Sequence, residues 1–268
     1  MGLKFCSLAS GSSGNCQLIA SEEYSILLDA GLTGKYIEKS MNGIGEKIEN
    51  VSGILVTHEH SDHVKAIGIL SRRFNIPIYA NANTWNAMKD KLGEIKEDNI
   101  NIFKTGIDFI IGDIDIRPFG ISHDASEPVA YSFHHDNAKI TVATDLGHVS
   151  KEVMEEMLGS DLLMLESNHD VEMLKVGRYP WFIKKRVLSD KGHISNETAG
   201  EVISHLIKSS RPVTNVLLGH ISKENNFPEL AFEAVKSVLA ANKIVVGLDI
   251  NLDLTFRDRV SRVYAIQK

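Results

Sequence analysis

The chain has 268 residues, 43% of them hydrophobic and 24% charged, with a formal net charge of −6. One α/β unit of about 250 residues with a sizeable core fits that length, so a single domain over residues 1–268 is expected; the acidic balance argues against a coat on nucleic acid but leaves room for a local basic groove. No apolar run approaches the ~20 residues that span a bilayer, "MGLKFCSLAS" has no signal-like n- and h-regions, and Cys6 and Cys16 make no disulfide framework, so a cytoplasmic protein without a membrane partner is expected.

In chain order, "LKFCSLAS", "CQLIA" and "SILLD" are short apolar strand candidates, too closely spaced for βαβ crossovers. The turn "SGSSGNC" between the first two has backbone N–H groups that could cradle a phosphate, although it lacks the G-K-[ST] ending of a P-loop. Ser12, Ser13 and Asn15 are therefore substrate-contact candidates, the other reading being a tight turn beside the site. The strand "VSGILVTH" leads into a helix over Val64–Arg73, followed by "IPIYA" and a helix over Thr84–Lys91. "DIDIRPFGI", "VAYSFHH" and "KITVATD" come next, with His134 and His135 on a hairpin. Then come a helix over Lys151–Leu158, the strand "DLLMLES", and a helix over Glu197–Lys208 with Ser195 or Asn196 as its N-cap. The strand "TNVLLGH", a helix over Pro228–Ala241 opened by its proline, and the strand "KIVVGLD" complete the pattern. The whole reads as mixed sheets stacked in a sandwich with helices outside.

Chemically capable residues recur where these apolar runs give out: Asp29, His58, His123, Asp145, Glu166 and His220. A single such residue is usually a turn former, but six of them on one edge of a sandwich point to a shared site. The strongest local signal is "THEHSDH", which places His58, His60, Asp62 and His63 on a strand-to-helix turn. Imidazole and carboxylate are ligands for zinc, iron or manganese. His58 and His60 can face one point in extended chain, and Asp62 and His63 a second point as the helix begins. One turn cannot close two metal sites, so His123, Asp145 and His220 are the remaining candidates.

H-x-H-x-D-H followed by His, Asp and His at strand ends resembles the metallo-β-lactamase superfamily, an αββα sandwich, over essentially the whole chain. The resemblance implies a first metal on His58, His60 and His123 and a second on Asp62, His63 and His220, with Asp145 bridging and Asp29 supporting the turn. Superfamily members cleave lactams, thioesters and phosphodiesters, so the reaction needs further signals.

The tetrapeptide GHIS occurs twice, in "KGHISNE" around His193 and "LGHISKENN" around His220. His220 ends an apolar run, whereas His193 follows the turn "SDKG" and precedes a helix, so the roles should differ. A histidine in such a loop, paired with a carboxylate at an earlier strand end, resembles the phosphodiesterase branch that includes tRNA 3′-end processing nucleases. The resemblance makes His193 the general acid and Glu166 its orienting carboxylate, with Asp62 as the third catalytic candidate. The expected reaction is attack by a metal-bridging hydroxide on phosphorus, with two divalent ions ~3.5–4 Å apart. "LKVGRYPWFIKKR" adds Lys184, Lys185 and Arg186 interleaved with Tyr179, Trp181 and Phe182. It is either a surface for phosphates and bases or an amphipathic helix with its rings in the core. Together "SGSSGNC", "THEHSDH", "TDLGHV", "ESNHD", "DKGHISN" and "LGHISKENN" look like the YycJ (WalJ)-type exonuclease group, which implies a 5′-to-3′ exonuclease on double-stranded DNA. A hydrolase of a small phosphodiester or thioester is the alternative with the same metals.

Overall fold

A computed structural model describes residues 2–267, without the side chain of Gln267; Met1 and Lys268, the outermost residues of the expected domain, lie outside the described residues. Strands in chain order are β1 (Gly2–Ala9), β2 (Cys16–Ala20), β3 (Ser25–Leu28), β4 (Val51–Leu55), β5 (Ile78–Asn81), β6 (Ile100–Phe103) and β7 (Phe109–Ile111). They continue as β8 (Ile114–Gly120), β9 (Val129–His135), β10 (Ala138–Ala143), β11 (Leu162–Glu166), β12 (Asn215–Gly219), β13 (Asn251–Leu254) and β14 (Tyr264–Gln267). The helices are α1 (Gly34–Gly43), α2 (Ser61–Val64), α3 (Ile67–Phe74), α4 (Ala82–Leu92), α5 (Lys151–Met157), α6 (Val171–Val176), α7 (Trp181–Val187), α8 (Asn196–Ile207) and α9 (Pro228–Ala241). The strands form two seven-stranded mixed sheets, ordered β14-β1-β2-β3-β4-β5-β6 and β13-β12-β11-β10-β9-β8-β7. With helices packed on both outer faces, this is the αββα sandwich expected from the resemblance.

Period-2 burial builds the layers, because successive strand side chains point to opposite faces. In β1, Leu3 and Phe5 enter the seam between the sheets, where they join Ile140 and Met164, while Cys6 and Leu8 face the outer layer. In β11, Leu162 and Met164 take the seam, and Leu163 and Leu165 pack beneath Val202, Ile203 and Leu206 of α8. Both faces being covered, such strands read as continuous apolar runs. Each fully buried aliphatic side chain contributes about 1.5–3 kcal/mol.

Parallel pairing of β3 with β4, and of β10 through β11 to β12, aligns their carboxyl ends at one rim of the sandwich. That rim collects the strand-end residues. Three of them, Asp29, Asp145 and His220, hold left-handed backbone with φ of 60°, 59° and 51°. Non-glycine residues take this conformation at a cost and keep it where the surroundings over-determine it, as at functional sites.

Several elements differ from the sequence reading. "KIVVGLD" is a turn with one isolated bridge, Val246 to Ile250, and the strand is β13 just beyond it. The helix expected over Val64–Arg73 begins earlier and is broken into α2 and α3. Among the described residues no helix is long and apolar enough to cross a membrane.

Candidate metal and active centre

The histidine turn is built on a buried carboxylate. Asp29 Oδ1 accepts from the Thr57 N–H at 2.9 Å, and Oδ2 accepts from Thr57 Oγ1 at 2.8 Å and from His63 Nδ1 at 2.7 Å. With its proton given to Asp29, Thr57 Oγ1 accepts from His58 Nδ1 at 3.0 Å. The turn also needs glycine at position 31, where a Cβ would lie 1.6 Å from the Asp62 carbonyl oxygen.

These bonds fix the tautomers. The Nδ1 of His58 is held by Thr57, that of His63 by Asp29, that of His123 by the Gly192 carbonyl at 3.2 Å, and that of His220 by Glu166 Oε1 at 2.8 Å. All four rings therefore turn Nε2 toward the cluster, as metal-ligating histidines do. Ligand atoms of His58, His60 and His123 lie within 4.8 Å of one another, and so do those of Asp62, His63 and His220. Asp145 sits between the two groups, Oδ2 3.5 Å from His63 Nε2 and Oδ1 3.5 Å from His220 Nε2 and 3.8 Å from His123 Nε2. Asp145 Oδ2 and His220 Nε2 are buried without a hydrogen-bond partner. Buried polar atoms rarely lack partners, and both of these belong to the clustered ligand candidates. The donors fit divalent metal ions of the borderline class.

Electrostatics within the cluster run in opposite directions for its members. Burial holds the His58 imidazole well below its ordinary value, with the neighbouring His63 adding to it, and burial likewise lowers His123. His63 and His220 rise to about 10 and about 9: burial opposes the charge, but Asp29 and Asp145 around the first and Asp145 and Glu166 around the second outweigh it. Asp145 is held well below the carboxylate range against its burial by the surrounding histidines, His220 foremost.

Both GHIS histidines converge on one carboxylate oxygen. Glu166 Oε1 accepts from His193 Nδ1 at 2.8 Å and from His220 Nδ1 at 2.8 Å, while Oε2 accepts from the N–H groups of Leu146 at 2.9 Å and Ile194 at 3.3 Å. Glu166 is fully buried, yet its carboxyl is held down at about 2, burial being outweighed by His193 and His220. The second duty of Glu166 went unseen in the sequence, because a strand-end Glu and a distant GHIS carry no joint signature. The His193 side chain remains 16% open, on a cavity of about 250 Å³ lined also by Asp62, His123, Asp145 and His220. His148 and His169 do not join this cavity; they line a separate one beyond His193.

The expected substrate contacts separate. Ser12 and Ser13 are exposed, Ser12 on the cavity wall. Asn15 is instead buried, 2% exposed, with Oδ1 accepting from Gly11 N–H at 2.9 Å and Nδ2 3.0 Å from His63 Nε2, so it braces the turn and has no free face for substrate. Arg186 lines the cavity and donates from Nε to Asp124 at 2.5 Å. Lys184 and Lys185 follow the same helix, α7, with Lys184 Nζ donating to the Lys175 carbonyl. The alternative that the rings of α7 sit in the core does not hold: Trp181 is 75% and Phe182 70% exposed, and no residue of α7 is buried.

Comparison with known proteins agrees with this architecture. Exodeoxyribonuclease YycJ of Bacillus anthracis is 46% identical over 92% of this chain and 93% of its own length. Exodeoxyribonuclease WalJ of Streptococcus pneumoniae strain D39 is 41% identical over 93% of each. The metallo-β-lactamase fold protein YhfI of Bacillus subtilis superposes with a TM-score of 0.72 at 15% identity, covering 98% of this chain and 100% of that one. Residues 24–221 match the beta-lactamase superfamily domain, and the chain belongs to the metallo-β-lactamase superfamily.

Proposed function

We propose that the chain is a metal-dependent phosphodiesterase acting on nucleic acid, and specifically a DNA exonuclease. His58, His60 and His123 would hold one divalent ion, zinc, manganese or iron, and Asp62, His63 and His220 a second, with Asp145 available to both. Bound there, such ions supply a water of lowered pKa and positive charge at the phosphoryl oxygens. The remaining chemistry belongs to the chain's own residues. His193, fixed at Nδ1 by Glu166, holds a proton at Nε2 for the departing sugar oxygen. Asp62, on the same cavity, accepts a proton from the attacking water. Lys184, Lys185 and Arg186 meet backbone phosphates, and Trp181 and Phe182 offer rings to bases.

The observation that carries this reading is His193, oriented by a buried carboxylate and open to the cavity beside the ligand cluster. An alkoxide leaving group needs such a proton donor. Relatives named exodeoxyribonucleases over nine-tenths of the chain support the DNA substrate. Resemblance of the six motifs extends the reading to double-stranded DNA cut from 5′ to 3′, and the unpaired buried thiols of Cys6 and Cys16 fit a reducing cytoplasm.

The test is stripped protein reloaded with zinc, manganese or iron and given 5′- or 3′-labelled duplex DNA, RNA and a chromogenic phosphodiester or thioester. Progressive shortening of duplex DNA from its 5′ ends is expected. Hydrolysis of the small ester alone would overturn the nuclease reading in favour of a small-substrate hydrolase.

A further inference from the structure

A second cavity adjoins the catalytic one and is lined by an arginine that forms no ion pair among the described residues. It measures about 440 Å³, shares Ser12 and Tyr179 with the catalytic cavity, and is otherwise lined by Ser13, Lys223 and Arg257 with two carboxylates. The backbone around Arg257 is locked to the metal rim. Thr255 donates from both N and Oγ1 to the Leu218 carbonyl, at 2.9 and 3.0 Å. Ser10 N–H donates to the Phe256 carbonyl at 2.8 Å, and Ser10 Oγ accepts from the N–H of His220 at 2.9 Å. Arg257 thus follows a segment stitched both to the Gly/Ser turn and to the strand end that carries His220.

Its side chain lies along that turn. A Cβ on Gly11 would meet Arg257 Cγ at 2.7 Å and Cδ at 3.1 Å, and Gly11 has φ +145°, so glycine is required twice over at this position. The methylenes rest on bare backbone, and Nη1 is buried with no hydrogen-bond partner. Among the described residues no carboxylate forms an ion pair with it, although Glu224 and Asp258 line the same cavity. The adjoining turn, with Ser12 and Ser13 exposed, also has free amides among the described residues. Gly11 N–H donates to Asn15 Oδ1, Gly14 N–H to the Gly11 carbonyl and Asn15 N–H to the Asp62 carbonyl, whereas those of Ser12 and Ser13 find no acceptor among the described residues.

An unpaired guanidinium N–H is costly when buried, and a guanidinium beside free turn amides is a ready oxyanion seat. We propose that Arg257, with the Ser12 and Ser13 amides, is a second phosphate subsite that holds the nucleic-acid phosphate neighbouring the one being cut. This rests on the nuclease reading. Lys223 and Arg257 are balanced by Glu224 and Asp258, so the lining selects a single phosphate group over a polyanion such as a triphosphate. The phosphate comes either from an internal diester of the strand or from its 5′ terminus; the chemistry of the seat is the same.

The experiment compares wild type, Arg257→Gln and Arg257→Lys, metal-reloaded and matched in melting temperature. Substrates are a duplex with a 5′-phosphate, the same duplex with a 5′-hydroxyl, and a chromogenic diester bearing one phosphate. For Arg257→Gln, the ratio of kcat/KM on duplex to kcat/KM on the small diester should fall about tenfold, chiefly through KM. Arg257→Lys, which keeps the charge and the packing on Gly11 but loses the fork, should fall by less; it also carries the test if Gln destabilises the chain. A deficit confined to the 5′-phosphorylated duplex identifies the terminal phosphate, and an equal deficit on both duplexes an internal one. A ratio unchanged in both variants, with the wild type active on duplex, overturns the subsite alone. Duplex left intact by the wild type refutes the nuclease reading and the subsite with it.

Discussion

Replacing Glu166 by Gln removes one oxygen acceptor at a point where both GHIS loops meet. The carboxylate accepts four N–H groups: His193 Nδ1 and His220 Nδ1 on Oε1, and the amides of Leu146 and Ile194 on Oε2. Glutamine has a single acceptor oxygen, and both of its orientations fail. With its NH₂ toward Leu146 and Ile194, two buried donors face a donor, at about 1–3 kcal/mol each. With its NH₂ toward the imidazoles, neither ring can keep its Nδ1 proton, and His220, with its proton on Nε2, loses the lone pair it turns toward Asp145. A stability loss of about 3–5 kcal/mol follows from breaking a buried charged network. Metal affinity should fall about 10–100-fold, as for other groups that orient ligand histidines. Chelator competition measures the affinity, thermal melting the stability and duplex turnover the activity. Unchanged metal affinity and turnover in Glu166→Gln would refute the shared-carboxylate argument.

Other outcomes follow from the same contacts. The metal-free chain should lose stability as pH rises from 6.5 toward 9. His220 and His63 have folded values raised to about 9 and about 10, so their contribution is full below the ordinary histidine value and disappears as they deprotonate. A rise from 6.5 to about 9 at ~1.4 kcal/mol per pH unit is on the order of 3 kcal/mol for His220. Glu166, lowered to about 2, works in the other direction: its contribution is full above ~4.3 and is lost as pH falls toward 2. Melting curves in chelator across pH 3–10 check both limbs, and a melting temperature that climbs from pH 6.5 to 9 contradicts the first. Gly31→Ala drives a Cβ into the Asp62 carbonyl and should cost about 3 kcal/mol or more along with metal content; wild-type metal content by elemental analysis would show that the turn tolerates the shift. Trp181→Ala with Phe182→Ala should weaken duplex binding at high salt, where phosphate contacts are screened. Equal anisotropy titrations for variant and wild type would mean that the rings do not touch the bases.

Much of this site could be read from the sequence because its candidate ligands sit where apolar strands end. The turn at His58, His60, Asp62 and His63 is local, and the strand-end positions of Asp145 and His220 are visible as breaks in β-branched runs. What escaped depends on contacts between distant segments. Asn15 looks like a polar loop residue, yet burial against His63 makes it a brace. Arg257 lies in "TFRDRVSR", where charge density suits a solvated loop; only the stitching of Thr255 to Leu218 and Ser10 to Phe256 brings it to the rim. "KIVVGLD" has strand composition, but Gly247 at φ +88° turns the chain, and pairing with β12 is taken by Asn251–Leu254. β6 and β7, each of three or four residues at the sheet edges, are too short for a period to show.

The two GHIS histidines share a carboxylate, the proposed function gives them different roles, and leaving-group dependence tests that division most directly. His193→Ala should retain its metals and lose about 10²–10⁴-fold in kcat on DNA, whose alkoxide must be protonated. On a p-nitrophenyl phosphodiester, whose leaving group departs without a proton, the loss should be small. An equal loss on both substrates with metal content intact, or loss of metal from the variant, would contradict His193 as the proton donor.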